Sequence, residues 1–393
     1  MYWALRKLLV RRTSNQHTRV CRSPRSTMTM HKHRWLIVIV LAVALVAATG
    51  LTMAWVYHQR QASKIVARPV PQAQVGKHAQ ALIKKTAFTG SVALIKNGQI
   101  VYTGGVGDAD HGQHEANNGE TMFPLASVEK YLTALVIGHL IAEHKLSFNT
   151  KLAKFFPKID HSKDISIRQL LDHRSGIQMD ELTPDQTLTS EQAILDWTFE
   201  QMGSTGDHSF IYANANYAVL AGIVRQVTGK SFANVLQQTI ITPLQLTHTH
   251  NFTALTAQMP VAQGYLTAGD NDYQPDELSN ALLSTLLGSG SVYMSATDLA
   301  KVIIAAETGK IMPLKVYHQL INANYGDGNP YASGVMWLDD QRLLQGMYND
   351  NPESFSTLAY FRADAKSGVV LFGNHTMSTD TVSLAQNLEA LVN

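Results

Sequence analysis

Strand texture at both ends of the main body, with helical texture between, limits what this 393-residue chain can fold into more than any other feature. Near the front, Gly90-Ser91-Val92-Ala93-Leu94-Ile95 and Gln99-Ile100-Val101-Tyr102 flank Asn97-Gly98. Asn-Gly between apolar runs predicts a tight hairpin, because both central residues tolerate positive φ. A short amphipathic helix is expected near 76–86. From Ser127 to His144 the spacing turns helical, with Leu132, Leu135, Val136, Ile137, Leu140 and Ile141 three or four residues apart. Similar patterns return at 165–173, 215–240 and 297–307. Strands resume with Val335-Met336-Trp337, Ser356-Thr357-Leu358-Ala359-Tyr360-Phe361 and Val369-Val370-Leu371-Phe372, before a last helix over 379–392. The expected fold is an α/β body whose sheet joins both ends around a helical insertion.

Charge divides the chain. Residues 1–34 carry nine Lys or Arg and no acid, leaving 23 basic against 30 acidic residues in the remainder. The body is therefore acidic, which argues against a nucleic-acid partner. Trp35 to Tyr57 holds no charge, and 23 residues of helix reach roughly 34 Å, enough to cross a bilayer. Residues 1–34 are accordingly expected as a cytoplasmic tail and 35–57 as a transmembrane signal-anchor, with a cleaved signal peptide as its rival. Residues 58–75, with Arg68-Pro69-Val70-Pro71, read as a linker, and 76–393 as a domain outside the cytoplasm. The one cysteine is Cys21, so the body has no thiol nucleophile, disulfide or thiolate metal site.

Ser127-Val128-Glu129-Lys130 places a hydroxyl and an amine at i and i+3, on one face of a helix start. A serine becomes a nucleophile when a neighbouring base takes its proton, and a neutral lysine serves in that role. The helix start also aims backbone N–H groups at a developing oxyanion. As a bare pattern this is weak. Tyr212-Ala213-Asn214 adds a phenol and an amide two residues apart, at a loop entering another helix. Such groups relay protons and bind a substrate carbonyl or amide. His111, His114 and Glu115, and likewise His248 and His250, lack companion ligands and read as loop residues, so no metal or other cofactor is expected. His173 reads as a packing or capping residue, and Gly288-Ser289-Gly290-Ser291 as a cleft rim. Neither H-E-x-x-H nor G-x-S-x-G occurs.

Leu125-Ala126-Ser127-Val128-Glu129-Lys130, Leu170-Leu171-Asp172-His173-Arg174-Ser175-Gly176, Tyr212-Ala213-Asn214 and Val227-Thr228-Gly229-Lys230, in that order, resemble the serine β-lactamase and penicillin-binding-protein superfamily. The texture is most similar to its class C and D-amino-acid carboxypeptidase or esterase branch, over about residues 75–393. The resemblance implies an antiparallel five-stranded sheet flanked by helices, plus an all-helical subdomain. It implies Ser127 as the acylated nucleophile, with Lys130 and Tyr212 sharing proton transfer and Asn214 touching the acyl group. The oxyanion would lie between the Ser127 N–H and a second N–H near Asn351.

The chain departs from the branch at the third motif. Tyr348-Asn349-Asp350, with Ser354 before Phe355, stand where a Lys or His and a glycine are usual. A cation there holds a substrate carboxylate. Tyr348 and Asp350, with Glu353 nearby, would instead suit an ammonium group. An acyl donor with an amine and no free carboxylate fits, as in D-alanine esterified to teichoic acid. A cell-wall polymer is the expected partner, alongside the membrane through the N-terminal helix. A D-Ala-D-Ala carboxypeptidase or β-lactamase-like enzyme, and a non-catalytic wall-binding or sensing protein, are the alternatives.

Overall fold

A computed structural model describes residues 68–267, 273–322, 325–338, 340–348, 354–375 and 380–393. Asn97-Gly98 makes the hairpin turn, with φ of 52° and 69°, between β1 (Gly90–Lys96) and β2 (Gln99–Val106). At the other end of the chain come β3 (Tyr331–Ala332), β4 (Val335–Leu338), β5 (Gln341–Met347), β6 (Ser356–Arg362) and β7 (Ser367–Gly373). The strands form one sheet in the order β3-β4-β5-β6-β7-β1-β2, antiparallel at every pairing. β1 against β7 thus ties the front of the domain to its end.

Among the described residues the sheet has seven strands rather than five. Its far edge is widened by a tight β3–β4 hairpin around Ser333-Gly334, with φ of 53° and 85°. Serine is a poor residue for that conformation. Its backbone N–H and hydroxyl both donate to the buried carboxylate of Asp172, at 3.1 and 3.3 Å. A partner distant in sequence holds this turn.

Side chains alternate across the sheet, and both faces are covered. Val92, Leu94, Leu358, Val369 and Leu371 join one apolar cluster with Val75 and Ile83 of α1 (Gln72–Ile83). Ala93, Ile95, Ala359, Phe361, Val370 and Phe372 join the main core, which includes α2 (Glu129–Ala142), α3 (Ala215–Thr228), α4 (Ala296–Glu307) and α5 (Leu314–Ile321). The last helix, α6 (Thr381–Glu389), adds Leu384 and Leu388 to the first cluster. Burial on both faces explains why these strands read as continuous apolar runs. α1 starts four residues earlier than expected, directly after Pro71, so it takes in the end of the presumed linker.

One expectation is corrected. The proposed membrane-spanning segment, 35–57, lies outside the described residues, as do the basic tail and residues 58–67. Among the described residues no helix is long and apolar enough to cross a membrane. The longest described helices, α2 and α3, have 14 residues each, and about 21 Å of helix falls short of a hydrocarbon core of about 30 Å.

Candidate active site

Ser127 lies in a 3-10 turn, Ala126–Val128, that runs straight into α2. Helix α2 is buried nearly all round, with 11 of its 14 residues inaccessible, so the turn has little room to shift. Ala126 adopts φ of 46°, a left-handed conformation that an alanine rarely takes. Packing enforces it. The Leu125 N–H donates to Val292 O at 2.8 Å, and the Thr357 hydroxyl donates to Leu125 O at 2.8 Å. Strand β5 passes so close that a Cβ on Gly346 would lie 2.4 Å from Leu125 O and 2.9 Å from Ser127 N.

Lys130, 1% exposed, points back along α2. Its Nζ donates to Ser127 Oγ at 2.9 Å and to Ser289 O at 3.2 Å. It also lies 5.0 and 5.8 Å from the ring centres of Tyr212 and Tyr217. No carboxylate among the described residues makes an ion pair with it. Tyr212, from a loop 85 residues away, donates its hydroxyl to the same Ser127 Oγ at 2.7 Å. The serine oxygen therefore sits between an amine and a phenol.

The Tyr212 loop is fixed by a buried polar knot around His173. The His173 ring stacks at a tilt on Tyr212, with centres 4.2 Å apart. Its Nδ1 lies 3.3 Å from the Ala213 N–H and 3.2 Å from the Asn216 amide nitrogen, so Nδ1 is the acceptor. Nε2 then carries the proton and faces the Tyr331 hydroxyl at 3.2 Å. Burial first, and the Lys130 charge second, hold the imidazole pKa well below its usual value, so the ring stays neutral. His173 is thus a positioning residue for the phenol, more than the packing group read from sequence.

Glu129 is engaged on the other side, away from the Ser127 hydroxyl. It accepts from the Val292 N–H at 2.9 Å and from the Ser291 hydroxyl at 3.4 Å, which pins the adjoining wall. Burial raises its carboxyl to about 7, against the opposing pull of those hydrogen bonds and of Lys130. The same wall, Gly288–Ser291, offers its carbonyls to Thr133, Lys130 and Tyr348.

Ser127 opens onto two cavities. The larger, about 470 Å³, is lined by Glu181, Asn214, Ser289, Gln345, Met347 and Tyr348 among others. The smaller, about 320 Å³, includes Phe210, Pro330 and Tyr331, and shares Ser127, Tyr212, Met336 and Gln345 with the first. The described lining of both contains no Lys, Arg or His. Asn214 is at the start of α3 and donates its amide to Glu181 Oε1 at 2.8 Å. Tyr348 is buried, and its hydroxyl donates to Gly290 O at 2.8 Å, so only its ring borders the cleft. Burial above all keeps that phenol protonated. Asp350 and Asn351 lie outside the described residues. The strand that runs against Ser127 is Gln345-Gly346-Met347, three residues before the stretch singled out from sequence. Gln345 and Glu181 went unread there, since neither sits in a recognisable pattern.

A hydroxyl held between a buried amine and a phenol, with backbone packed behind it, is an arrangement suited to a serine hydrolase. The Beta-lactamase family profile matches residues 75–392, and the chain belongs to that family. Teichoic acid D-alanine hydrolase from Staphylococcus aureus is 29% identical over 242 residues, 61% of this chain and 59% of that protein. The match therefore spans about three fifths of the relative's length. Among solved structures, FmtA from Staphylococcus aureus superposes with a TM-score of 0.70 at 24% identity, over 85% of this chain and 93% of that one. A penicillin binding protein from Bacillus halodurans gives 0.65 at 21%, over 80% and 100%. D-amino acid amidase from Ochrobactrum anthropi gives 0.65 at 21%, over 81% and 97%. These likenesses establish the fold.

Proposed function

We propose that this chain is a serine esterase that removes D-alanyl groups from teichoic acid, acting outside the cytoplasm where that polymer lies. The observation that carries the reading is Ser127 Oγ within hydrogen-bond distance of both Lys130 Nζ and Tyr212 OH. It is supported by a cleft whose described lining has no cation for a substrate carboxylate, and by the relative named teichoic acid D-alanine hydrolase. A D-Ala-D-Ala carboxypeptidase would need such a cation.

The ester carbonyl would lie over Ser127, its oxygen toward the Ser127 N–H and the adjoining edge of β5. Ser127 Oγ bonds to the carbonyl carbon while its proton passes to the Lys130 amine. As the carbon–oxygen bond to the polyol breaks, Tyr212 gives its proton to the departing oxygen and is reprotonated from Lys130. The acyl group would occupy the larger cavity and the polyol the smaller. Water then attacks the acyl-enzyme with the same groups in reverse, releasing D-alanine and restoring Ser127.

The full chain incubated with D-alanylated lipoteichoic acid should release D-alanine, and Ser127→Ala should release none above background. No release by the unmutated chain, with ready covalent labelling by a penicillin, would favour the carboxypeptidase reading instead.

A further inference from the structure

Among the described residues five large apolar side chains stand exposed, and three of them, Leu182, Tyr212 and Met347, line the larger cavity beside Ser127. Single exposed apolar residues are ordinary on a protein surface, but several gathered at one concavity mark a place that a ligand covers. Met179, Leu282, Leu286 and Met336 extend the same wall. They come from separate parts of the chain: the loop after Ile177–Gln178, the short helix Asn280–Ser284 and the residues that follow it, and strands β4 and β5.

The size of the cavity points the same way. Its volume of about 470 Å³ is in the range of pockets that hold a drug-sized molecule, whereas a D-alanyl group brings a single methyl as its side chain. That methyl would leave most of the wall facing water. Thr183, Asn214, Thr285 and Gln345 add polar groups of the kind that orient a ligand in a largely apolar pocket. Met179, Met336 and Met347 are unbranched and adaptable, so the wall can fit side chains of differing shape.

We propose that this wall is a subsite for the acyl side chain, and that the protein cleaves D-aminoacyl esters with a longer apolar side chain faster than D-alanyl esters. This rests on the esterase reading of Ser127 and extends its substrate class from one aminoacyl group to a series. Each methylene that leaves water for the wall strengthens binding of the transition state, and the gain stops when the cavity is filled.

The test compares kcat/KM of the full chain on D-alanyl, D-2-aminobutyryl, D-norvalyl and D-norleucyl esters of one alcohol, which differ only in side-chain length. The value should climb by about fourfold per methylene, the effect of taking one CH₂ out of water. Leu182→Ser and Met347→Ser should each flatten that slope. Both side chains are more than two fifths exposed, so neither change threatens folding, and a slope is a ratio that a general loss of active protein leaves alone. Leu314→Ser is the control, since Leu314 is 40% exposed and does not border the cavity, and it should keep the unmutated slope. If the D-alanyl ester is cleaved but kcat/KM stays level or falls along the series, the subsite is wrong while the esterase stands. The same holds if the slope survives both cavity variants, or if Leu314→Ser flattens it as much. If no ester of the series is cleaved, the esterase reading falls and takes the subsite with it.

Discussion

At the scale of single residues, the site works because charge and polarity are rationed. Lys130 is deep, touches one hydroxyl, one carbonyl and two aromatic faces, and places its amine beside Ser127. His173 is neutral and Glu129 is protonated over much of the acidic range, so neither sets a further charge beside that amine there. Glu129 carries a testable cost. An unfolded glutamate releases its proton near 4.5, whereas the folded one keeps it to about 7. Between those values the folded state binds more protons, so this group's contribution is fully present below about 4.5 and is lost as pH rises through 7. His173 acts with the opposite sign, but identically in a Glu129 variant. Relative to the unmutated chain, Glu129→Gln should therefore gain on the order of 1–3 kcal/mol between pH 5 and pH 8. Denaturant titrations of both proteins at the two pH values would show it, and parallel pH dependences would refute it.

At the scale of elements, the decisive contact is β5 against the turn that carries Ser127. The spacing Ser127 to Lys130 was legible, because two positions on one helical turn share a face whatever surrounds them. Strand β5 was not. Its residues Gln341-Arg342-Leu343-Leu344-Gln345-Gly346-Met347 neither alternate nor run apolar, since Gln341 and Arg342 are themselves buried, with the Arg342 guanidinium over the Trp337 ring. The third motif was therefore sought from Tyr348 onward, in a stretch whose residues 349–353 lie outside the described ones. Gly346 is where the element can be tested. A methyl there would meet Leu125 O and Ser127 N within 3 Å and force strand and turn apart. Gly346→Ala should lower kcat by about 100-fold, as displacement of an oxyanion donor does, with a loss of about 1–3 kcal/mol in stability. Rates near normal would mean that the strand moves without consequence.

At the scale of the whole molecule, the cleft exists because a helical region and a sheet edge are held together. Asp172 follows the short helix Ile167–Leu171 and is fully buried. It receives the Ser333 N–H and hydroxyl from the β3–β4 hairpin and the Tyr325 hydroxyl at 2.7 Å, and pairs with Arg168 at 3.4 Å. Arg168 in turn donates to Leu320 O and Gln319 O at the end of α5. Removing the carboxylate would take a partner from a guanidinium and from three other donors. Asp172→Ala should cost about 3–5 kcal/mol and lower the midpoint of thermal unfolding by roughly 10 °C, which calorimetry would measure. A change under 1 kcal/mol would mean that this knot is not what joins the two parts.

Short-range physics was readable from the residues alone. Asn97-Gly98 makes its turn because the conformation is intrinsic to those two residues, and Ser127 faces Lys130 because a helix repeats every 3.6 residues. Contacts between distant residues could be decided only by the folded chain. The phenol that reaches Ser127 comes from 85 positions away, the carbonyl on Lys130 from 159, and the carboxylate that holds the Ser333 turn from 161. Glu181 meets Asn214 across 33 residues of loop and helix without any local pattern to announce it. Such meetings depend on packing summed over the whole core, and no window of sequence contains that sum.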